Sequence, residues 1–419
     1  MCSFAPKIVA SAEKIPFSFF GGWIDGALEE ITKQNDIEVG ICYPQVYSLS
    51  LVQGQFEGIK YFGIYSKKLA YGYEQQLDEP AKEVITAFNP DVIHIWGAEF
   101  PFAYAIVKVA PNSGNIVCSI QGLCSYIEKH YFSHMPIDVI KSYTFRDFIK
   151  RDNLVQQKKK YMKRGLFEKK IIEKIGHVIG RTDWDRACVQ GISLDTKYHF
   201  CNETLREVFY VKQNQWDYEK CEKHSIFVSQ VYYPIKGFHI LLEAFAEILK
   251  MYPDAKIYSA GTSPFDISMF RIGSYQAFLK RRIKALNIEE KVIFLGDLSQ
   301  EEMCSAYLNS NVFVSASCIE NSPNSVGEAM LLGMPVVASY VGGTKNLLTD
   351  EKEGFLYQSD APYMLAYYIG KVFDMKDGAK HIGQNAYEHA MKTHDPLINK
   401  ETLLNVYKDI FREGNVSHC

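Results

Sequence analysis

The 419-residue chain has little net charge and no long apolar run. Its 46 basic and 49 acidic residues leave a formal charge of −3, which argues against a uniformly basic nucleic-acid binder. No window approaches the roughly 20 apolar residues of a membrane span. The first residues lack the charged start, apolar core and cleavage site of a signal peptide. These absences predict a cytoplasmic protein with no nucleic-acid partner.

Patterns for disulfides and structural metals are also missing. The ten cysteines are scattered, none forms a C-x-x-C pair, and no Cys/His cluster has zinc spacing. Scattered thiols fit a reducing compartment. A chain of this length can bury large cores, so it needs neither disulfides nor a structural metal to fold.

The chain is predicted to contain two successive series of alternating strands and helices. In the first series, a short apolar run at 7–12 precedes a strand-to-helix glycine turn at 19–22, and strands are predicted at 37–43, 91–96 and 116–120. The second series has predicted strands at 225–229, 255–260, 292–295, 312–316 and 335–338, with helices between them. Such alternation favours parallel β-α-β units.

A polar, turn-like stretch at 213–223 separates the two series, so we predict the linker there. The predicted domains are 1–213 and 220–398, with a C-terminal helix near 400–419 that packs back on the first. The fold class is α/β, with two doubly wound domains side by side. Ligands of such sheets bind beyond the carboxyl ends of the strands.

Residues 137–175 differ in charge from the rest of the chain. They contain 12 basic and 5 acidic residues, with apolar residues recurring between them. The pattern predicts helices with a basic face. Two interpretations of this basic face are equally good. It is either an ordinary solvated surface or a patch that binds anionic lipid head groups or an anionic acceptor.

The most informative segment is 317–330. Glu320 leaves the end of a strand, seven residues separate it from Glu328, and Glu328 falls in the first turns of the next helix. Both carboxylates can therefore point at one crevice, where they suit vicinal hydroxyls, while amides at the helix start suit phosphate oxygens. The alternative is that Glu328 caps the helix and Glu320 is a surface acid.

Two weaker segments carry similar chemistry. Lys236 and Gly237 open a helix directly after a strand, where a lysine suits an anion, although a solvated lysine is the ordinary case. Gly21 and Gly22 lie in a turn that lets backbone approach a ligand closely, although a plain tight turn explains them too.

Together these segments resemble the retaining glycosyltransferases of family 4, most strongly over 225–357. The stretch 320–328 is similar to the family's E-x7-E motif, and 291–296, 333–338, 341–344 and 353–356 follow in the family's order. The resemblance implies the GT-B fold, which has two Rossmann-like doubly wound domains facing a central cleft.

The resemblance also implies roles for individual residues. Glu328 is expected to hold the ribose hydroxyls, Glu320 to contact the transferred sugar, and Lys236 to neutralise the diphosphate. Further positions are expected to face the donor nucleotide sugar through backbone or side chain: Gly21, Gly22, Leu295, Asn321, Ser322, Pro323 and Asn324.

Two residues depart from the family pattern. Gln230 stands where many members have an arginine, which removes half of the expected positive clamp unless Arg181 or Arg186 replaces it. Gln121 stands where members often carry a histidine beside the sugar. A glutamine can hydrogen-bond a sugar hydroxyl but cannot act as a base.

The implied function is retaining transfer of a sugar from a nucleotide diphosphate sugar, with UDP favoured, to an acceptor hydroxyl. The expected acceptor is a lipid-linked saccharide in capsule, exopolysaccharide or lipopolysaccharide synthesis, with peripheral attachment to the inner face of the cell membrane. The one Asp-x-Asp triplet, at 183–185, opens a helix in the first half, so we expect no metal and no other cofactor. The alternatives are a non-catalytic GT-B nucleotide-sugar-binding module and a GT-B nucleotide-sugar epimerase.

Overall fold

Three sheets form the framework in a computed structural model that describes residues 1–16, 22–34 and 36–416. The strands of the described residues are β1 Gly40–Gln45, β2 Val52–Phe56, β3 Ile59–Tyr65, β4 Ile93–Trp96, β5 Ile116–Ser119, β6 His177–Gly180, β7 Lys197–Phe200, β8 Glu222–Val228, β9 Lys256–Ser259, β10 Val292–Phe294, β11 Ser310–Ser315, β12 Val336–Ser339 and β13 Phe355–Tyr357.

The helices alternate with these strands through most of the chain. They are α1 Lys7–Glu13, α2 Gly22–Thr32, α3 Asp78–Phe88, α4 Ala103–Val109, α5 Cys124–Ile127, α6 Ile137–Lys141, α7 Phe145–Lys150, α8 Leu154–Ile172, α9 Asp183–Gln190, α10 Glu207–Val211, α11 Phe238–Met251, α12 Ser274–Ala285, α13 Gln300–Leu308, α14 Asn324–Leu331, α15 Thr344–Leu347, α16 Pro362–Met375, α17 Ala379–Thr393 and α18 Pro396–Val416.

The chain divides into two compact units that do not follow the predicted limits throughout. Unit 1 comprises Met1–Ile127, Tyr161–Thr204 and Asp395–Cys419, and unit 2 comprises Glu128–Lys160 and Leu205–His394. Helix α18 is therefore part of unit 1. Residues 128–160, by contrast, belong to unit 2 although the sequence placed them in the first domain.

The stretch predicted as a linker, 213–223, is instead packed on unit 2. The backbone amides of Asn214 and Trp216 donate to the carbonyl oxygens of Leu331 and Leu332, over 2.8 and 2.9 Å. The Trp216 side chain is buried, and its indole N–H donates to the carbonyl of Ser310 over 2.8 Å. The polar composition of this stretch gave no indication that Trp216 fixes it to unit 2. The chain passes from unit 1 to unit 2 earlier, between residues 204 and 205.

The unit 2 sheet is parallel throughout, with strand order β10-β9-β8-β11-β12-β13. The chain moves outward from β8 through β9 to β10 and then returns to the other side of β8 with β11. This is the strand order of a dinucleotide-binding sheet, and its direction reverses between β8 and β11. The crevice beyond the carboxyl ends of these two strands is therefore the expected ligand site.

Helix α11 shows how sequence periodicity sets the packing around β8. Phe238, Leu241, Leu242, Phe245 and Ile248 recur at helical spacing, and all five are buried. An apolar stripe of this width fixes the helix against the sheet. The predicted helix at 238–251 is confirmed, as are the predicted strands along unit 2 to within a few residues.

Unit 1 contains a parallel sheet, β4-β5-β6-β7, and a second sheet in which β3 pairs with β1 in parallel and with β2 antiparallel. The sequence did not indicate the β2–β3 hairpin. Its two-residue turn places Glu57 and Gly58 at φ values of 49° and 81°, the left-handed backbone that such hairpins require.

The apolar run at 7–12, before the predicted glycine turn, forms helix α1. The two residues at the start of the chain hydrogen-bond to β1 and β4. The amide of Cys2 donates to the Cys42 carbonyl over 2.8 Å, and the ammonium group of Met1 donates to the His94 carbonyl over 2.6 Å. A run as short as 7–12 carries too little periodicity to separate a strand from a helix.

Candidate functional site

A pocket opens in unit 2 where β8 and β11 end. The residues that line it include Ser229, Gln230, Lys236, Ser317, Glu320 and Ser325. The first three follow β8 and the others follow β11. The structure therefore brings Lys236, Glu320 and Gln230 together at the strand-order reversal.

Lys236 and Glu320 form an ion pair in this pocket. The Lys236 Nζ lies 2.5 Å from Glu320 Oε1, and the Ser317 hydroxyl donates to the same oxygen over 2.7 Å. The two side chains are only 27% and 15% exposed, so water screens the pair less than it would a surface pair. The carboxylate is thus held in one orientation beside a cation.

The position of Lys236 depends on a close approach between the two loops. Gly237 has a φ of 66°, and a Cβ built on it would lie 1.7 Å from the carbonyl oxygen of Ala316. The amide of Cys318 also donates to the carbonyl of Ile235 over 2.7 Å. Helix α11 begins directly after Gly237, so its positive N-terminal end and the Lys236 ammonium lie at the same side of the sheet.

The position of Glu320 depends on the glycine pair at 342–343. The amide of Gly343 donates to the Glu320 carbonyl over 3.1 Å. Gly342 has a φ of 49°, and a Cβ on it would lie 1.9 Å from the same carbonyl oxygen. The segment 341–344, singled out by its sequence, therefore holds the backbone that carries Glu320.

Glu328 lies in the second turn of α14 and is buried. Arg206 donates to both of its oxygens, from Nε over 2.7 Å and from Nη2 over 2.8 Å. The Tyr307 hydroxyl donates to the Ser325 carbonyl over 3.1 Å and lies 3.5 Å from Oε2, and burial together with the Glu328 charge holds the pKa of Tyr307 well above its usual range. The carboxylate is bound by Arg206 at both oxygens, so it does not cap α14.

Arg206 is a residue that sequence reasoning missed. It directly precedes α10, and its guanidinium lies over the Phe209 ring at 4.8 Å from the centroid. The sequence feature that could have drawn attention to Arg206 is the pair of acids near it, Glu203 and Glu207, between the two strand–helix series. Nothing in that cluster indicates a partner more than a hundred residues away.

The loop that joins β11 to α14 contains the remaining predicted donor residues. Asn321 is buried, Ser322 follows it, and Pro323 stands at the N-cap of α14, where it has no polar side chain to cap the helix. Asn324 is the first helical residue. The N-terminal end of α14 therefore joins that of α11 at the pocket, which favours an anion there.

Leu295 directly follows β10 at the carboxyl edge of the same sheet. Its amide donates to the Ser259 carbonyl over 2.8 Å, and its side chain is about one-third exposed, at 37%. The structure thus places Leu295 on the edge that carries the pocket. Its contact with a nucleotide base stays a prediction.

Gln121 and Arg181 follow β5 and β6 of unit 1 and share one carboxylate. Glu203 pairs with the Arg181 guanidinium and accepts from the Gln121 side-chain amide. Arg181 Nη2 also donates to Gln121 Oε1 over 3.4 Å. Glu203, a second residue that sequence reasoning missed, therefore neutralises Arg181 within unit 1, and the contributions of Gln121 and Arg181 to a donor site stay predictions.

The predicted glycine loop can be placed only in part. Gly21 lies outside the described residues, and Gly22 is the first residue of α2. Their approach to a diphosphate stays a prediction.

The Asp183–Asp185 triplet has a structural explanation. Asp185 is buried at the third position of α9 and accepts from the amides of Arg181 and Thr182 over 2.8 and 3.3 Å, and from the Tyr198 hydroxyl over 2.6 Å. Within 1–16, 22–34 and 36–416, no three His, Cys, Asp or Glu side chains come together as a metal site. Metal independence stays a prediction.

Comparison with known proteins shows which domain family the residues around the pocket resemble. Residues 212–389 match the family model described as glycosyl transferases group 1, and this match lies wholly in unit 2. The alpha-monoglucosyldiacylglycerol synthase of Streptococcus pneumoniae is 25% identical over 47% of this chain and 43% of its own length. The chain matches less than half the length of this and similar curated relatives.

Solved structures show a similar fold over a larger part of the chain. Sucrose-phosphate synthase from Thermosynechococcus elongatus matches with a TM-score of 0.68 at 17% identity, covering 93% of both chains. HepE of Anabaena, in complex with UDP-glucose, matches with a TM-score of 0.58 at 17% identity, covering 84% of this chain and 86% of its own. The protein therefore has the GT-B type of fold, and residues 212–389 are similar to group 1 glycosyltransferase domains.

We expect Arg206→Met to destabilise unit 2, because it leaves the buried Glu328 carboxylate without its cation. The loss should be about 3 kcal/mol in the free energy of unfolding, at the lower end of the range for buried pairs, since Arg206 is partly exposed. Urea denaturation measures it. The double variant Arg206→Met/Glu328→Met should recover most of the loss, and a double variant as unstable as the single one would contradict this explanation.

We expect Gly237→Ala to destabilise the protein by more than left-handed strain alone. Gly58→Ala is the matched control, because Gly58 also has a positive φ, 81°, but a Cβ there meets no atom within 4 Å. The control should cost about 1 kcal/mol and Gly237→Ala at least about 2 kcal/mol, because the Ala316 carbonyl must move. Equal losses in urea denaturation would show that the close approach is unimportant.

Proposed function

We propose that this protein is a retaining glycosyltransferase that moves a sugar from a UDP-sugar to an acceptor hydroxyl. The Lys236–Glu320 pair carries the proposal, because it lies in a pocket at the strand-order reversal, beside the N-terminal ends of α11 and α14. A cation, a carboxylate and two helix ends suit a ligand with both phosphate oxygens and sugar hydroxyls.

The charges fit the departure of a diphosphate. An ammonium group has three N–H donors, and Glu320 accepts one from Lys236, so two can serve phosphate oxygens. As the bond from the anomeric carbon to the diphosphate breaks, negative charge grows on the phosphate oxygens. Lys236 and the helix-terminal amides would stabilise that charge in place, without having to reorganise.

Retention follows from a same-face displacement. The acceptor oxygen bonds to the anomeric carbon as the diphosphate leaves, and a departing phosphate oxygen takes the acceptor's proton. A covalent sugar–carboxylate intermediate fits less well, because Lys236 and Ser317 already bind Glu320 at one oxygen. Glu320 is better suited to accept hydrogen bonds from hydroxyls of the transferred sugar.

Uridine is the proposed base, and Glu328 the proposed ribose ligand. The UDP-glucose complex of the structural neighbour HepE supports a uridine donor. Arg206 occupies one site on each Glu328 oxygen, and a carboxylate offers about four lone-pair sites, so room for a ribose diol remains.

The proposed acceptor is a lipid-linked saccharide at an anionic membrane surface, reached through 137–175. The name of the Streptococcus pneumoniae relative, a glucosyldiacylglycerol synthase, supports a lipid acceptor. The excess of basic residues in 137–175 supports an anionic surface. In the part of the chain that the structure describes, no helix is both long and apolar enough to cross a bilayer.

A non-catalytic nucleotide-sugar-binding module is the second candidate. Gln230 favours it, because this neutral side chain lines the pocket where a second cation is expected. A nucleotide-sugar epimerase is the third, and its isomerised donor distinguishes it from the other two.

We expect a UDP-sugar to raise the thermal stability of the protein and Lys236→Ala to abolish most of the gain. A ligand at 100 times its dissociation constant adds about 2.7 kcal/mol to the free energy of unfolding. Lys250→Ala is the matched control, since Lys250 is exposed in the last turn of the same helix, α11. A panel of nucleotide sugars measured by thermal shift names the base and sugar.

Turnover then distinguishes the candidates. Wild-type protein with donor and acceptor should release UDP and form a glycosylated acceptor, and Lys236→Ala should slow release about 100-fold or more. Donor binding without any product would support the binding module, and an isomerised donor would support the epimerase. No stabilisation by any nucleotide would contradict all three.

We expect activity to persist after metal is removed, because the proposed stabilisation of the diphosphate uses Lys236 and backbone amides. Dialysis against EDTA followed by a UDP-release assay tests this, with added Mg²⁺ or Mn²⁺ as the comparison. Loss of activity that either ion restores would show that a cation completes the site.

A further inference from the structure

Exposed apolar side chains are concentrated in one short segment of unit 2. Helices α6 and α7 and the turn between them expose Ile137, Tyr143, Phe145, Phe148 and Ile149, each by more than half. Phe148 is 76% exposed and Ile149 61%. Single exposed apolar residues are normal on a soluble protein, but a contiguous group indicates an interaction surface.

A second loop of the same unit extends this group. Met269 and Phe270 are 76% and 65% exposed, and the Phe270 ring meets the Phe145 ring edge-on with 5.6 Å between centroids. We call the seven residues the apolar patch: Ile137, Tyr143, Phe145, Phe148, Ile149, Met269 and Phe270.

The apolar patch is held on a fixed support. Asp147, on the inner side of α7, is fully buried and accepts from the amide of Ser274, the first residue of α12, over 2.9 Å. Arg146 donates to Asp147 over 3.1 Å, and Thr144 and Asp147 form a capping box at the start of α7. The outward direction of Phe145, Phe148 and Ile149 is therefore set by hydrogen bonds on the opposite side of the helix.

The charges around the apolar patch are mainly basic. Residues 128–160 contain eight lysines and arginines and four acids. Ion pairs engage three of the acids: Glu128 with Lys158, Asp147 with Arg146, and Asp152 with Arg146 and Lys160. Among the described residues, Lys141, Lys150, Arg151 and the neighbouring Arg271 are exposed and form no ion pair. The only acid of this segment outside an ion pair is Asp138.

We propose that the apolar patch is a membrane-docking element that enters the head-group region of an anionic bilayer. Phe148, Ile149 and Phe270 would lie at the boundary with the acyl chains, and Lys141, Lys150, Arg151 and Arg271 would bind anionic head groups. The inference rests on the proposed function only for its lipid acceptor. It assigns the contact to 137–151 and 269–271 rather than to the whole of 137–175.

The test is co-sedimentation with vesicles, without donor or acceptor. Wild-type protein should bind vesicles of phosphatidylcholine and phosphatidylglycerol better than vesicles of phosphatidylcholine alone, and added salt should weaken the binding. Phe148→Ser/Ile149→Ser should lower the partition coefficient about tenfold or more, because two apolar side chains are lost. Tyr363→Ser/Tyr367→Ser is the matched control, since both tyrosines are equally exposed on α16 of the same unit.

Phe270→Ser gives an independent variant on another loop and should also weaken binding. Equal binding of anionic and neutral vesicles, no binding by the wild type, or unchanged binding by both patch variants would overturn the proposal. Sedimentation velocity addresses the other occupant: a dimer that Phe148→Ser/Ile149→Ser converts to monomer would assign the patch to self-association instead. Because no turnover is measured, failure of docking and failure of glycosyl transfer are distinguishable.

Insertion itself is measured with a single new fluorophore. Phe148→Trp should show a blue-shifted emission difference from wild type on anionic vesicles, with quenching by brominated lipids. Tyr363→Trp should show neither change. Quenching at both positions or at neither would contradict insertion through the apolar patch.

Discussion

The close approach of two loops at the ends of β8 and β11 is the constraint on which the site depends. The strand order makes these two parallel strands neighbours, so their carboxyl ends must leave the sheet together. A side chain at Gly237 would collide with the Ala316 carbonyl, and one at Gly342 with the Glu320 carbonyl. Because Gly237 and Gly342 have no Cβ, the loops that follow β8, β11 and β12 can approach one another closely. This approach brings Lys236 and Glu320 together.

Charge balance explains what such a pocket can bind. The Lys236–Glu320 and Arg206–Glu328 pairs each sum to zero formal charge, so neither adds a net cation for a diphosphate. The positive potential must then come largely from the N-terminal ends of α11 and α14, which are fixed by the fold. The neutral Gln230 makes this dependence stronger, since an arginine there would have supplied a full charge. Lys236 can still bind a diphosphate, because its two other N–H groups can donate to phosphate oxygens while the third stays bonded to Glu320.

Sequence patterns predicted the features that depend on neighbouring residues, namely the helices and strands and the positions of Glu320 and Glu328 within them. The periodicity of α11 and the alternation along unit 2 gave the elements, and the spacing of Glu320 and Glu328 placed them correctly after β11 and in α14. The partners of these acids lie far away in sequence: Arg206 is 122 residues from Glu328. A single sequence contains no signal for such a contact. The same limit hid Glu203 beside Arg181, the Trp216 anchor, and the buried Asp147 that fixes α7 to α12.

The Arg206–Glu328 pair raises the question of why a buried position carries a carboxylate at all. Desolvation of two charges offsets most of their attraction, so a buried ion pair is commonly no more stable than apolar side chains of the same size. Folding therefore gives little reason for an acid at this position of α14, whose neighbours Val326, Ala329 and Met330 are buried and apolar. A carboxylate differs from those neighbours in its hydrogen-bond acceptors, and Arg206 leaves some of them unused. Because the Arg206–Glu328 pair adds little to stability, its free hydrogen-bond acceptors are the better explanation for an acid at this position. This is the physical argument for Glu328 as a ligand for hydroxyls.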